Sequence, residues 1–140
     1  MGKQAVLDQM NNSVSKNTLM ETLDIVFTDF GEDYMVAEMP VTPKVHQPMG
    51  ILHGGATIAL AETVGSAASH MFVNREKYAV KGMELSANHI RSISKGKVIA
   101  TARPIHKGKK THLWEVRVED TEQRLISICK LTMIVLQVSK

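Results

Sequence analysis

The chain has 140 residues, 44% of them hydrophobic, and a formal charge of +3, which suits one globular domain over residues 1–140 that buries roughly 60% or more of its unfolded surface. Its single cysteine, Cys129, excludes an internal disulfide framework and fits a reducing compartment. No long apolar segment follows the positive charge at the amino terminus, which argues against a secretory signal and makes a cytoplasmic location the expectation.

Residues 1–18 read as a short helical extension. Lys3 to Met10 place Val6, Leu7 and Met10 on one face, and Asn11-Asn12-Ser13 is expected to stop the helix. Leu19 to Leu23 supply one further helical turn. From Ile25 the pattern is extended: Ile25 to Phe30, a turn at Gly31-Glu32-Asp33, then Tyr34 to Met39, a hairpin closed by Pro40. Two prolines and a glycine between Thr42 and Gly50 demand an irregular connection.

Gly54 to Val73 is a long run of apolar and small residues. It has spanning length, but a carboxylate near its middle, Glu62, would cost roughly 3 kcal/mol to insert in a bilayer, so a core helix is expected and no membrane span. Four extended segments follow, Tyr78 to Arg91, Val98 to Ile105, Leu113 to Glu119 and Leu125 to Val138, separated by short polar breaks. They read as an antiparallel meander, giving an α+β class in which a curved sheet covers one long central helix. Cys129 falls in the last strand as a small buried hydrophobe. One such unit leaves a sheet edge open, and edge-to-edge pairing of two subunits is the economical remedy.

Glu62 is the only carboxylate in its run. Such a run is expected to be buried along most of its circumference, where an ionised carboxylate costs several kcal/mol unless paired or solvated. Two readings fit: a carboxylate kept for chemistry, or a salt-bridged or surface glutamate at the helix edge. His53 precedes Gly54 and Gly55 where the helix begins, so the first free N–H groups and the positive end of the helix dipole face outward there. A carbonyl oxygen at that terminus would be polarised, and glycine lets it approach. Ser66, one turn beyond Glu62, can hold a water or the carboxylate, or bond back to the helix backbone.

Charge is uneven. Between Glu84 and Glu115 no acidic residue occurs, while Arg91, Lys95, Lys97, Arg103, Lys107, Lys109 and Lys110 do. Such a field favours an anionic partner, either nucleic acid or a phosphorylated small molecule. Trp114 is the one tryptophan, so a stacking platform for single-stranded nucleic acid is not expected. The histidines form neither HExxH nor a Cys/His cluster, so no metal is expected. Arg103 replaces the leading glycine that a phosphate loop at Gly108 would need, and no G-x-S-x-G occurs.

Gln47-Pro-Met-Gly-Ile-Leu-His53-Gly-Gly-Ala-Thr-Ile-Ala-Leu-Ala-Glu62-Thr-Val-Gly-Ser66, with Ala87-Asn-His89-Ile-Arg91 and Arg103-Pro-Ile-His106-Lys-Gly108, resembles the hotdog-fold acyl-CoA thioesterases. The branch it is most similar to holds the phenylacetate-pathway and 4-hydroxybenzoyl-CoA thioesterases, with the dihydroxynaphthoyl-CoA and enterobactin-proofreading enzymes. The likeness runs from about residue 19 to the end. It implies a helix wrapped by an antiparallel sheet, subunits paired into one sheet, dimers with composite active sites, and a homotetramer. It further implies an acyl-CoA thioester hydrolase for an aromatic or compact acyl group, with no cofactor because the CoA ester is the substrate.

Carried over residue by residue, the resemblance makes Glu62 the base or nucleophile. The Gly54 N–H polarises the thioester carbonyl, with Gln47 and His53 from the opposite subunit, and Ser66 positions water. His89 contacts the acyl group, and Arg91, His106, Lys107, Gly108 and Lys109 receive pantetheine and phosphates. Met83, with Met39 and Met49, is a candidate for an adaptable apolar pocket. The turn Asp120-Thr-Glu-Gln-Arg124 lacks the glycine often found there. Alternatives are a hotdog 3-hydroxyacyl-thioester dehydratase or hydratase, and a non-catalytic acyl-CoA sensor, for which residues 1–18 are too short to supply a DNA-reading module.

Overall fold

A computed structural model of the chain describes residues 1–138. Its organising element is α3, Gly54–His70, preceded by the short helices α1 (Lys3–Gln9) and α2 (Leu19–Thr22). Six strands, β1 (Val26–Phe30), β2 (Met35–Pro40), β3 (Tyr78–His89), β4 (Lys97–Lys107), β5 (Thr111–Glu119) and β6 (Leu125–Gln137), form one antiparallel sheet in the order β1-β2-β4-β5-β6-β3.

The helix starts where expected. His53 caps it: Nδ1 accepts from the Gly55 N–H at 2.7 Å, and its carbonyl accepts from Ala56 and Thr57. At the far end His70 donates Nδ1–H to the Ser66 carbonyl at 2.9 Å, favourable where helix carbonyls lack partners. Thr57, Leu60, Ala61, Val64, Gly65, Ala68 and Ser69 are buried against the sheet. Gly65 permits the closest approach, since a Cβ there would stand 2.6 Å from Leu131 Cδ2. Trp114, Met35, Met39, Leu131 and Met133 complete the core, and Cys129 is buried as expected.

Two expectations are corrected. The Asn11-Asn12-Ser13 segment does not stop the first helix, which continues as a wider π-helical turn over Met10–Val14. Asn11 is held there by strand β1: its Nδ2 donates to the Phe27 carbonyl at 2.9 Å and its Oδ1 accepts from the Phe27 N–H at 2.8 Å. Nor do the last four strands form a simple meander. β4-β5-β6 do, but β3 lies beside β6 at the far edge while β4 pairs with β2. Residues 90–96 carry the chain across the end of the sheet, with Ile90 and Arg91 N–H bonded to the Ile126 carbonyl, Leu52 N–H to Ile93 and Val41 N–H to Gly96. Alternation tells which face a residue takes, not which strand is its neighbour.

Candidate active site

The amino-terminal end of α3 is a polar corner. Gln47 sits in a tight turn, its N–H bonded to the Ile51 carbonyl, its carbonyl accepting from Gly50, and its Oε1 accepting from the Met49 N–H. His53 takes the Gly55 N–H, which leaves the Gly54 N–H with no acceptor among the described residues. Gln47, Gly54, His89 and Arg91 line one cavity of about 240 Å³ with Leu52 and Ile126. His89 stands so close over Gly54 that a Cβ there would lie 2.8 Å from its Nε2. An unpaired N–H on the positive end of a helix, open to a cavity, is a site for a carbonyl oxygen or an anion.

Glu62 lies elsewhere. It is eight residues along α3, about 12 Å up the axis at 1.5 Å per residue, and faces a second cavity of about 960 Å³. The same helix face brings Gly55, Ile58, Ala59, Thr63, Ser66 and Ala67 to this cavity. α3 is buried or half-buried at every position except Gly55 and Glu62, as expected of most of its circumference, and Glu62 is exposed on the stripe that opens to this cavity. Among the described residues it has no ionic partner, which removes the salt-bridged reading. Its carboxylate rests over β3 at Gly82, where a Cβ would meet Oε2 at 2.8 Å. Ser66 shares the cavity but makes no hydrogen bond to Glu62.

The basic residues divide. Arg91 belongs to the corner with Gly54. His106, Lys107, Gly108 and Lys109 occupy the end of β4 and its turn into β5, near the opposite end of α3, and line neither cavity. Lys107 Nζ lies 3.9 Å above the Phe72 ring, which stacks on the buried Trp114. Gly108 leaves room for the His106 ring, 2.7 Å from where a Cβ would stand. Met83 is exposed on the β3 bulge outside both cavities, Met49 is exposed in its turn, and Met39 is core.

Some participants carried no signal in the sequence. Val6, Met10, Val14 and Met20 wall the Glu62 cavity; the spacing of Val6 and Met10 marked a helix face but not what it faced. Ser127, which bonds to His89, stands 38 residues away from it in the chain.

The sequence profile of the Thioesterase superfamily matches residues 49–127, the stretch that holds both cavities' polar residues other than Gln9 and Gln47. The chain belongs to the thioesterase superfamily. The crystal structure of a mutant thioesterase from Pseudomonas aeruginosa aligns with TM-score 0.91 over 94% of this chain and 94% of that one, at 40% identity. A thioesterase from Haemophilus influenzae aligns with TM-score 0.91 over 96% and 92%, at 36% identity. A Vibrio cholerae relative provisionally named an esterase is 44% identical over 124 residues, 89% of this chain and 82% of its own length. This thioesterase has the hotdog fold and is a thioester hydrolase. No helix among its described residues is long and apolar enough to cross a membrane.

Proposed function

We propose that this thioesterase hydrolyses an acyl-CoA thioester with an aromatic or otherwise compact acyl group, at a site shared between two subunits. The observation that carries this is the separation on α3: the unpaired Gly54 N–H and the Glu62 carboxylate open into different cavities about 12 Å apart along one helix. One thioester carbonyl cannot touch both groups of the same chain. A second copy, joined through the uncovered edge strand β3, supplies the missing half, Glu62 and Ser66 coming from one subunit and Gln47, His53 and Gly54 from the other.

The chemistry follows from the groups. The carbonyl oxygen sits on the Gly54 N–H, which stabilises the oxyanion as the carbon becomes tetrahedral. Acting as base, Glu62 takes a proton from a water held by Ser66. The water oxygen bonds to the carbonyl carbon, the C–S bond breaks, and CoA leaves as a thiolate that is then protonated. Acting as nucleophile, Glu62 displaces the thiolate itself, and water then hydrolyses the mixed anhydride. A thiolate leaves readily without an acid, so neither route demands one. His89 flanks the acyl group, while Arg91 and the His106-Lys107-Gly108-Lys109 turn meet the pantetheine and phosphates. Because these basic groups sit at opposite ends of α3, a single CoA draws them from different subunits.

Glu62→Gln tests the assignment. With benzoyl-CoA and a free-thiol readout, kcat is expected to fall by about 10²–10⁴-fold while CoA-ester binding persists, since the loss falls on the transition state. Undiminished thiol release by the purified variant overturns it.

A further inference from the structure

Behind His89 lies a side chain that the proposed reaction leaves without a role. His89 ends β3 and stands in register with Ser127 of β6. Ser127 is fully buried, and its hydroxyl donates to the Asn88 carbonyl at 3.1 Å. A carbonyl can only accept, so the one hydroxyl proton is committed there. His89 Nδ1 lies 3.1 Å from the same oxygen, and this contact is a hydrogen bond only if Nδ1 carries the proton. The Cys129 thiol, 3.7 Å from that oxygen, is the remaining neighbour. Burial pushes its pKa up, so it stays protonated and also donates. A neutral imidazole with Nδ1–H has a bare Nε2. That nitrogen is the atom over Gly54, in the cavity with Gln47 and Arg91.

We infer that Ser127 is a positioning residue: through its bond to Nδ1 it fixes the His89 tautomer and so presents Nε2 to the acyl group as an acceptor. The Gly54 N–H, a donor, then stands beside an acceptor. An acyl group carrying a hydroxyl answers both, whereas one without it leaves Nε2 unpaired, and such sites discriminate more sharply than apolar pockets. The consequence for turnover rests on the acyl-CoA reading above; the tautomer does not.

Proton-detected ¹⁵N spectra of the imidazoles in the full-length labelled protein at about pH 8, with His89 assigned from the His89→Gln variant, test this directly. The expected result is Nδ1–H with a bare Nε2 in the wild type, loss of the fixed Nδ1–H in Ser127→Ala, and its return in Ser127→Thr. Nε2–H in the wild type, or an Nδ1–H that survives in Ser127→Ala, overturns the inference. The wild-type spectrum decides the first point even if Ser127→Ala fails to fold. In turnover, the ratio of kcat/KM for hydroxybenzoyl-CoA over benzoyl-CoA is expected to fall about tenfold in Ser127→Ala and to recover in Ser127→Thr; an unchanged ratio overturns the selectivity. A wild-type protein that releases thiol from no CoA ester ends the acyl-CoA proposal and leaves the spectroscopic result standing.

Discussion

Gly82 does for Glu62 what no partner charge does: it makes room. β3 breaks register against β6 between Gly82 and Glu84, and bulges of this kind re-aim side chains next to working sites. The Glu62 carboxylate lies over that glycine, with Oε2 2.8 Å and Cδ 3.3 Å from where a Cβ would stand. Gly82→Ala is expected to push the carboxylate aside and, since a displacement of about 1 Å can cost about 10²-fold, to lower kcat by that order with little change in Tm. Steady-state thiol release and a melting curve check it; unaltered kcat would mean the carboxylate finds its geometry without this seat. Glu62, His53 and Gly54 were legible as candidates because the motif that marks them is contiguous. Gly82 and Ser127 were not, because each acts on a residue of another element, and such contacts leave no local pattern.

At the scale of elements, the carboxyl-terminal end of α3 is locked to β5. Trp114 Nε1 donates to Ser69 Oγ at 2.5 Å and His112 Nδ1 lies 3.0 Å from the same oxygen, all three residues buried. Burial, with Lys107 and His106 nearby, holds the His112 pKa below its ordinary value of 6.5. The unfolded chain therefore takes up this proton more readily than the folded one, so stability is full above the ordinary value and is lost as pH falls below it toward the folded value. Melting temperatures measured between about pH 8 and pH 5 are expected to fall less steeply for His112→Gln than for the wild type, and equal slopes would discount this histidine.

The β5–β6 turn shows how a missing glycine is replaced. Gln123 takes φ +64. Asp120 secures the turn by accepting from Glu122 and Arg124 N–H, each at 2.9 Å, and from Arg124 Nε at 2.7 Å. Gln123→Gly is expected to stabilise by roughly 1 kcal/mol by removing the left-handed strain, read as a shift in the denaturant midpoint. Alternating hydrophobicity and turn residues revealed nearly every strand and its ends. The pairing of β3 with β6 stayed hidden because the crossing segment, residues 90–96, is fixed by backbone hydrogen bonds that any side chains could accompany.

For the molecule as a whole, the helix wrapped in sheet and the hydrolase class were readable from HGG and LAE at fixed spacing. The two separate cavities were not, since which cavity each group of α3 opens onto depends on elements distant in the chain that pack around the helix. Mixing inactive Glu62→Ala with inactive His53→Ala protein is expected to restore part of the activity, because hybrid pairs contain one intact site. Subunit exchange shown independently, without any regain of thiol release, would exclude a shared site.

Asn11 gives the proposed pairing a direction. By answering both the N–H and the C=O of Phe27, one side-chain amide imitates a neighbouring strand on the outer rim of β1 and seals it, while β3 stays free. A sheet with one sealed rim has a single joint to offer, so on the proposed pairing two copies meet and growth halts at a closed couple instead of running on as a fibre.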